Sequence, residues 1–548
     1  MKISPNRRKT QITGEVFTRH EVVEYMIGTV KKIGNIKNWV HIRTLEPSCG
    51  RGAFVLPIVD KIISETKDWH DVALKKALVA CDISEENIEY VSGIVLKRLT
   101  DAGCPEEIAK QLVAVWFVCD DFLMHDFTAH FDVVIGNPPY IRFDNLSSAQ
   151  QIEYRRRYKT FSNRCDIYIP FFEKSLSLLA RSGIMSFICT NRFTRNRYGR
   201  KLREFISDKF HVAMYLNMEH TSPFLEEVSA YPAIFVIDKR IGAPTISASI
   251  DSADADMLNR MDVANGAKAF SRFDRWYRDG EIWTSTCADD RIEAVRVENI
   301  YPTIENSAFG TRIGIGVASG ADDIFVDAQR HADIEAERLV PLVVSEDIKN
   351  GSISWGQHYI LNPYDFHGDS EMIDLAKFPK TAAYFKNNEN RLKARYCARG
   401  NGEDWFRTLD KMNHKVFKSA KLLLPDIQSG GNVALDEYGE FYPHHNVYWI
   451  TSAIWNLKAL CVILRSSFVT DQIRRVSVQM RGGSIRYQAQ NLRNVHIPAW
   501  ESITTEDVME LERLYDNSDR EYVNSIVLSI VERSASRQPR RLVQDMLF

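Results

Sequence analysis

The stretch Asn137-Pro138-Pro139-Tyr140 carries the most chemical content in the chain. It closes FDVVIG (131–136), a β-branched run that reads as a strand. Two prolines remove two backbone donors and stiffen the chain, and the residue before the first is held extended. The result is a rigid bracket presenting one amide and one ring. Such a bracket suits an exocyclic amine conjugated to an aromatic ring, a poor nucleophile because its lone pair is delocalised. Asn137 Oδ1 can accept one N–H and the Pro138 carbonyl the other, with Pro139 fixing where that carbonyl points. Both bonds help the nitrogen become tetrahedral as an electrophile arrives, while Tyr140 can stack on the ring. Catalysis of this kind is orientation plus differential stabilisation of the transition state, and it calls for no metal. A plain loop is the other reading of the four residues.

The elements that must position this bracket alternate. HIRTLEP (41–47), ALVACDIS (77–84), VWFVCDDF (115–122), FDVVIG (131–136), GIMSFICTN (183–191), HVAMYLNM (211–218) and YPAIFVIDK (231–239) are strand-like. GAFVLPIVDKII (52–63) and IYIPFFEKSLSLLA (167–180) have helical patterns. This rhythm predicts an α/β fold with a largely parallel, doubly wound sheet over 1–240. Beyond 240 the pattern becomes polar, irregular and mixed α+β, ending in helix, which predicts a second domain over 241–548. A chain of 548 residues is itself too long for one core.

Ligands of doubly wound sheets sit at the carboxyl ends of the strands. The first predicted strand ends in LEPSCGRG (45–52), where Gly50 and Gly52 permit a tight turn or a close backbone approach. Glu46 beside that turn is ill suited to a phosphate and suits a cationic ligand. Asp82, ending the second strand, reads as an acceptor for ribose hydroxyls or as a helix N-terminal acid. Asp121 can accept from an exocyclic amine, and Phe122 can lie against a purine. In FTRHEVVEYMI (17–27), Thr18 and Glu21 have capping-box spacing, and the helix N-terminus so formed is available to a carboxylate. A purine nucleoside, a carboxylate and a cationic centre together describe S-adenosylmethionine.

With these motifs in view, the chain resembles the gamma-class N6-adenine DNA methyltransferases of type II restriction–modification systems, of which the TaqI methyltransferase is an example. The order FTRHEVVEYM, LEPSCGRGAF, CDIS, CDDF, NPPY, then a long C-terminal region, carries the resemblance over about 1–240. Beyond that, GVASGADDIFV and RGGSIRYQAQNLRNVHIP are similar phrases. The resemblance implies a class I, Rossmann-like S-adenosylmethionine-dependent catalytic domain followed by a target-recognition domain. It implies that Thr18 lies near the methionine end of the cofactor, Glu46 near its amino or sulfonium group, Asp82 at the ribose, and Asp121 and Phe122 at the adenine. Asn137, Pro138, Pro139 and Tyr140 would hold the target base, with Phe224 in SPFLEEVSAYPAIFVI (222–237) as the second aromatic. The family often has Glu where Asp82 stands, so reach differs there.

A base inside a duplex must flip out to reach a recessed bracket. NRFTRNRYGRKLR (191–203) carries six basic residues and YRRRYK (154–159) four more, read as phosphate contacts or as solvated helix faces. RRVSVQMRGGSIRYQAQNLR (474–493) mixes Arg, Gln and Asn in a way that suits base edges, or forms a basic loop. Double-stranded DNA is the expected partner, with a separate cognate restriction endonuclease, and the chain is expected to act as a monomer. The net charge of −2 leaves DNA contact to local patches. Nine scattered cysteines without a C-x-x-C pair suggest neither a disulfide framework nor a zinc site, and fit a reducing cytoplasm. No signal-peptide core or membrane span is evident. Rival readings are RNA N6-adenine methylation, glutamine methylation of release factors, and a sequence-specific DNA-binding protein without activity. A fused nuclease lacks its metal-binding set, since LPDIQSGG (424–431) is not followed by a suitable E-x-K.

Overall fold

The computed structural model describes residues 16–538 apart from 227–230, 264–268, 284–285, 306–309, 367–370, 400–401, 403 and 478–483. The chain divides into two compact units, Met1–Arg291 and Ile292–Phe548.

In the first unit, nine strands form one sheet: β1 Thr44–Glu46, β2 Leu78–Asp82, β3 Phe117–Cys119, β4 Phe131–Gly136, β5 Leu179–Thr190, β6 His211–Asn217, β7 Pro232–Asp238, β8 Thr245–Ser249 and β9 Ser271–Phe273. Their order is β3-β2-β1-β4-β5-β7-β6-β8-β9. β1 pairs in parallel with both β2 and β4, and β4 with β5. β7 runs antiparallel between β5 and β6. All seven residues of β7 are buried, because the sheet is covered on both faces. Its side chains alternate: Ile234 and Val236 join one core, Ala233, Phe235 and Ile237 the other. The helix His20–Ile33 adds Val22, Val23, Met26, Ile27 and Val30 to the first of these cores, one apolar face at helical spacing.

Every strand expected before residue 240 is present. The expected junction near 240 is moved, because β8 pairs in parallel with β6 and β9 antiparallel with β8, so the sheet runs on to Phe273. The strand order reverses between β1 and β4, which makes their carboxyl ends the switch point of the fold.

The second unit contains a four-stranded antiparallel sheet in the order Thr311–Ile315, Val447–Ser452, Lys421–Pro425, Ala434–Asp436. A three-stranded sheet joins His358–Leu361, Leu339–Val343 and Tyr442–Pro443. Helices including Leu457–Arg465, Thr505–Leu514 and Arg520–Ala535 pack a separate core, as the mixed α+β expectation requires.

Candidate active site

The bracket leaves β4 at the switch point. Ser48 Oγ, in the loop after β1, donates to the Asn137 carbonyl at 3.1 Å and ties the two loops together. Asn137 Nδ2 donates to the Val16 carbonyl at 3.0 Å and to Thr18 Oγ1 at 3.3 Å. Two acceptors on one side identify the amide nitrogen, so Oδ1 points the other way. Oδ1 is buried and finds no hydrogen-bond partner among the described residues. Leaving such an acceptor unmade costs about 1–3 kcal/mol.

Tyr140 packs at the seam between the two cores of the unit, and its hydroxyl is likewise buried without a partner among the described residues. Burial holds this phenol well above its ordinary range. Its ring meets Phe224 edge-to-face at 6.0 Å between centroids. Phe224 is brought there by local pairing with the segment before the first helix. Arg19 N–H donates to the Pro223 carbonyl and Leu225 N–H to the Phe17 carbonyl, both at 2.9 Å. Thr18 and Phe224 form a single antiparallel bridge. Part of SPFLEEVSAYPAIFVI, residues 227–230, lies outside the described residues.

The capping box expected at Thr18 and Glu21 is not formed. The helix starts at His20 with Arg19 as its extended N-cap and no side-chain cap bond. Thr18 sits one residue too early, and its hydroxyl is committed to Asn137.

Glu46 ends β1 with 1% of its surface exposed. Desolvation raises its carboxyl well above the usual range, with the nearby Asp82 charge adding to the effect and the Val55 backbone N–H opposing it. Oε2 has no hydrogen-bond partner among the described residues. Asp82 Oδ2 accepts from Gly50 N–H at 2.8 Å and Oδ1 from Ser84 N–H at 2.9 Å. The Asp82 carboxylate thus clamps the turn after β1, while Ser84 caps the helix Glu85–Asp101. Gly50 and Gly52 both have positive φ, +48° and +88°. A Cβ on Gly52 would stand 2.6 Å from Val91 Cγ2, so this turn also needs glycine for packing.

Asp121 Oδ1 accepts from Leu123 N–H at 2.8 Å and Oδ2 from the Tyr154 hydroxyl at 2.6 Å. Phe122 is not free to move onto a ligand. Its ring is buried against Phe171 at 4.9 Å and Phe127 at 5.8 Å, within the second core of the unit.

The basic clusters are less available than their sequence implies. Arg203 is buried and donates to the carbonyls of Gly280, Phe193 and Asn196. Arg156 and Arg157 both bind Glu153 and hold its carboxyl down at about 2. In the second unit, Arg486 pairs with Asp426 and Arg493 with Glu305, while residues 478–483 of the proposed reading segment lie outside the described residues. Ser48, Val16 and Tyr154, which hold the bracket and Asp121, had no signal in the sequence beyond their residue types.

A buried acid at the end of β1 and an Asn-Pro-Pro-Tyr bracket at the end of β4, on either side of this switch point, define the class I methyltransferase architecture. A family model described as the Eco57I restriction-modification methylase matches residues 83–224. The type II methyltransferase M.XhoI of Xanthomonas vasicola is 34% identical over 527 residues, covering 93% of this chain and 95% of its own. M.BstVI of Geobacillus stearothermophilus is also 34% identical, covering 97% of this chain and 98% of its own. The solved structure of the type IIL restriction-modification enzyme MmeI in complex with DNA shares the fold, with a TM-score of 0.62 at 13% identity over 95% of this chain and 74% of that one. The chain belongs to the type II restriction–modification methyltransferase family.

Proposed function

We propose that this chain is a site-specific, gamma-class adenine methyltransferase that moves a methyl group from S-adenosylmethionine to N6 of an adenine flipped out of duplex DNA. The observation that carries this reading is the Asn137 amide, whose nitrogen is held by Val16 and Thr18 while Oδ1 is a buried acceptor with no partner among the described residues. An adenine amino group offers the donor that this oxygen lacks. The Pro138 carbonyl would take the second N–H, and the Tyr140 and Phe224 rings, edge-to-face in the free protein, would part to take the two faces of the base.

The cofactor-side residues fit the donor molecule. A buried carboxylate such as Glu46 is costly alone and is relieved by a cationic ligand group. S-adenosylmethionine, when bound, supplies an electrophilic methyl on a positively charged sulfur. Asp82 and Asp121 each spend acceptor positions on the protein, yet a carboxylate has about four, so ribose hydroxyls and an adenine amine can still be received. Thr18 Oγ1 accepts from the Asn137 amide, and a place near the methionine end of the cofactor would set it beside the bracket. DNA as substrate is supported by relatives of this fold that were solved with it: MmeI with DNA, and the type ISP enzyme LlaGI with a DNA substrate mimic at a TM-score of 0.51. The second unit would then read sequence, and the cellular role would be protection of host DNA from a separate nuclease.

Single-molecule sequencing of DNA from a methylation-free bacterial host tests this. N6-methyladenine at one short motif, absent with Asn137→Ala, is the expected result. A folded protein that binds S-adenosylmethionine yet leaves every base unmodified would move the search to RNA and protein amides.

A further inference from the structure

We propose that Asp322, His444 and His445 form a binding site for one divalent transition-metal ion, with Zn2+ the ion its donors suit best. It lies in the second unit, apart from the methyl-transfer residues in sequence and in role. Among the described residues these three bring one ligand atom each to within 4.8 Å of one another.

The two histidines are adjacent in sequence, and adjacent strand residues face opposite ways. Here they sit in a tight turn closed by Val447 N–H to the His444 carbonyl at 2.8 Å, which lets both rings point to one side. His444 Nδ1 stands 3.0 Å from Asn446 Oδ1, an acceptor, so Nδ1 carries a proton and Nε2 is the nitrogen turned toward the other two side chains. Nε2 lies 3.2 Å from Asp322 Oδ2 and 3.0 Å from His445 Nδ1. The third separation, His445 Nδ1 to Asp322 Oδ2, is 4.0 Å. A proton can bridge these atoms, and a metal ion taking its place would find all three donors converging on one point.

Donors around a tetrahedral Zn2+, with bonds of about 2.0–2.1 Å, lie about 3.3 Å apart. Two of the three separations are already close to that value, and a small rotation of the half-exposed Asp322 carboxylate closes the third. Two imidazoles and one carboxylate are the ligand types that Zn2+, Ni2+ and Cu2+ take. The site has the supporting shell that metal ligands need: Asn446 orients His444, and Ser319 Oγ donates to Asp322 Oδ1. His444 is buried while His445 and Asp322 are 47% exposed, so the ion has access and an open position.

The ion would staple two segments of one unit. The chain after Thr311–Ile315 already follows this turn, with Gly316 N–H to the Val447 carbonyl and Val317 N–H to the Pro443 carbonyl, both at 2.9 Å. Asp322 lies at the far end of that segment, beyond the Ser319–Ala321 turn.

The full chain, freed of metal by chelator and dialysis, should be titrated with Co2+ as a spectroscopic probe and then with Zn2+ in competition. One ion per chain with ligand-field bands is expected, with affinity lowered about tenfold or more in His445→Ala and in Asp322→Asn. Both replaced side chains are half exposed, and circular dichroism checks that the variants fold. Equal binding by the parent and both variants would place the ion elsewhere and overturn the proposal. So would no binding by the parent, or proton NMR showing the His444 ring protonated and unmoved by Zn2+.

Discussion

The Tyr154 hydroxyl donates a 2.6 Å hydrogen bond to Asp121 and so ties the helix Ser148–Arg157, which follows the bracket, to the turn after β3. Tyr154 is 1% exposed, and burial together with the Asp121 charge raises its phenol, so it stays a donor. Tyr154→Phe leaves Asp121 with one unsatisfied oxygen and a looser position. If Asp121 receives the cofactor, affinity for S-adenosylmethionine should fall by about tenfold, the equivalent of one bond to a charged group. Turnover at saturation should change little. Calorimetric binding of the cofactor to both proteins is the check, and unchanged affinity would remove Asp121 from the cofactor site.

Asn137→Ala removes the acceptor, and with it the amide donor to Val16 and Thr18. Methylation should drop by about 10²–10³-fold or more, the scale seen when one preorganised hydrogen-bonding group is lost from a transition state. Cofactor affinity should stay within a few-fold. A variant retaining most of its turnover would show that the bracket serves only as a turn.

The raised Glu46 carboxyl makes a signed prediction about pH. The folded protein holds this proton where the unfolded chain has released it. Stability should therefore decline as pH rises from the unfolded value of 4.5 toward the raised folded value. Glu46→Gln should flatten that decline and stabilise the ligand-free protein at neutral pH, while weakening S-adenosylmethionine binding. Thermal unfolding across pH, with and without cofactor, tests both halves.

Gly52 combines a φ of +88° with a Cβ position 2.6 Å from Val91 Cγ2. Gly52→Ala should cost about 1–3 kcal/mol through backbone strain and overpacking. Its cofactor affinity should fall as well, because the Asp82 clamp on Gly50 belongs to the same turn. Chemical denaturation followed by tryptophan fluorescence reads the first effect.

In the second unit, Lys421 and Asp436 form an ion pair at 2.6 Å with both side chains fully enclosed. Lys421→Met leaves the Asp436 carboxylate without its cation and should cost about 3–5 kcal/mol. The double variant Lys421→Met with Asp436→Leu should recover much of that loss. A double-mutant cycle in urea measures the coupling.

The positions of β1 to β7 and the order of the chemical motifs were legible in the chain itself. Each rests on a local pattern, a β-branched run or a Gly, Pro or Asp at a strand end, and local patterns survive without knowledge of neighbours. The nomination of Phe224 came from the family resemblance, and the structure sets its ring edge-to-face against Tyr140 at 6.0 Å between centroids. What only tertiary structure decided was every choice between partners far apart in sequence. β7 inserts between β5 and β6, and β8 and β9 extend the sheet past residue 240, because long-range pairing selects the edge. Thr18 forgoes the cap suggested by its spacing because the Asn137 amide, 119 residues away, reaches its hydroxyl. Arg203, in a run read as phosphate contacts or a solvated face, is held in the interior by backbone carbonyls, and Phe122 packs among rings that no local pattern reveals. The residue types set which chemistry is available; the packing of distant segments decided which of those groups are spent on the fold and which are left to meet a ligand.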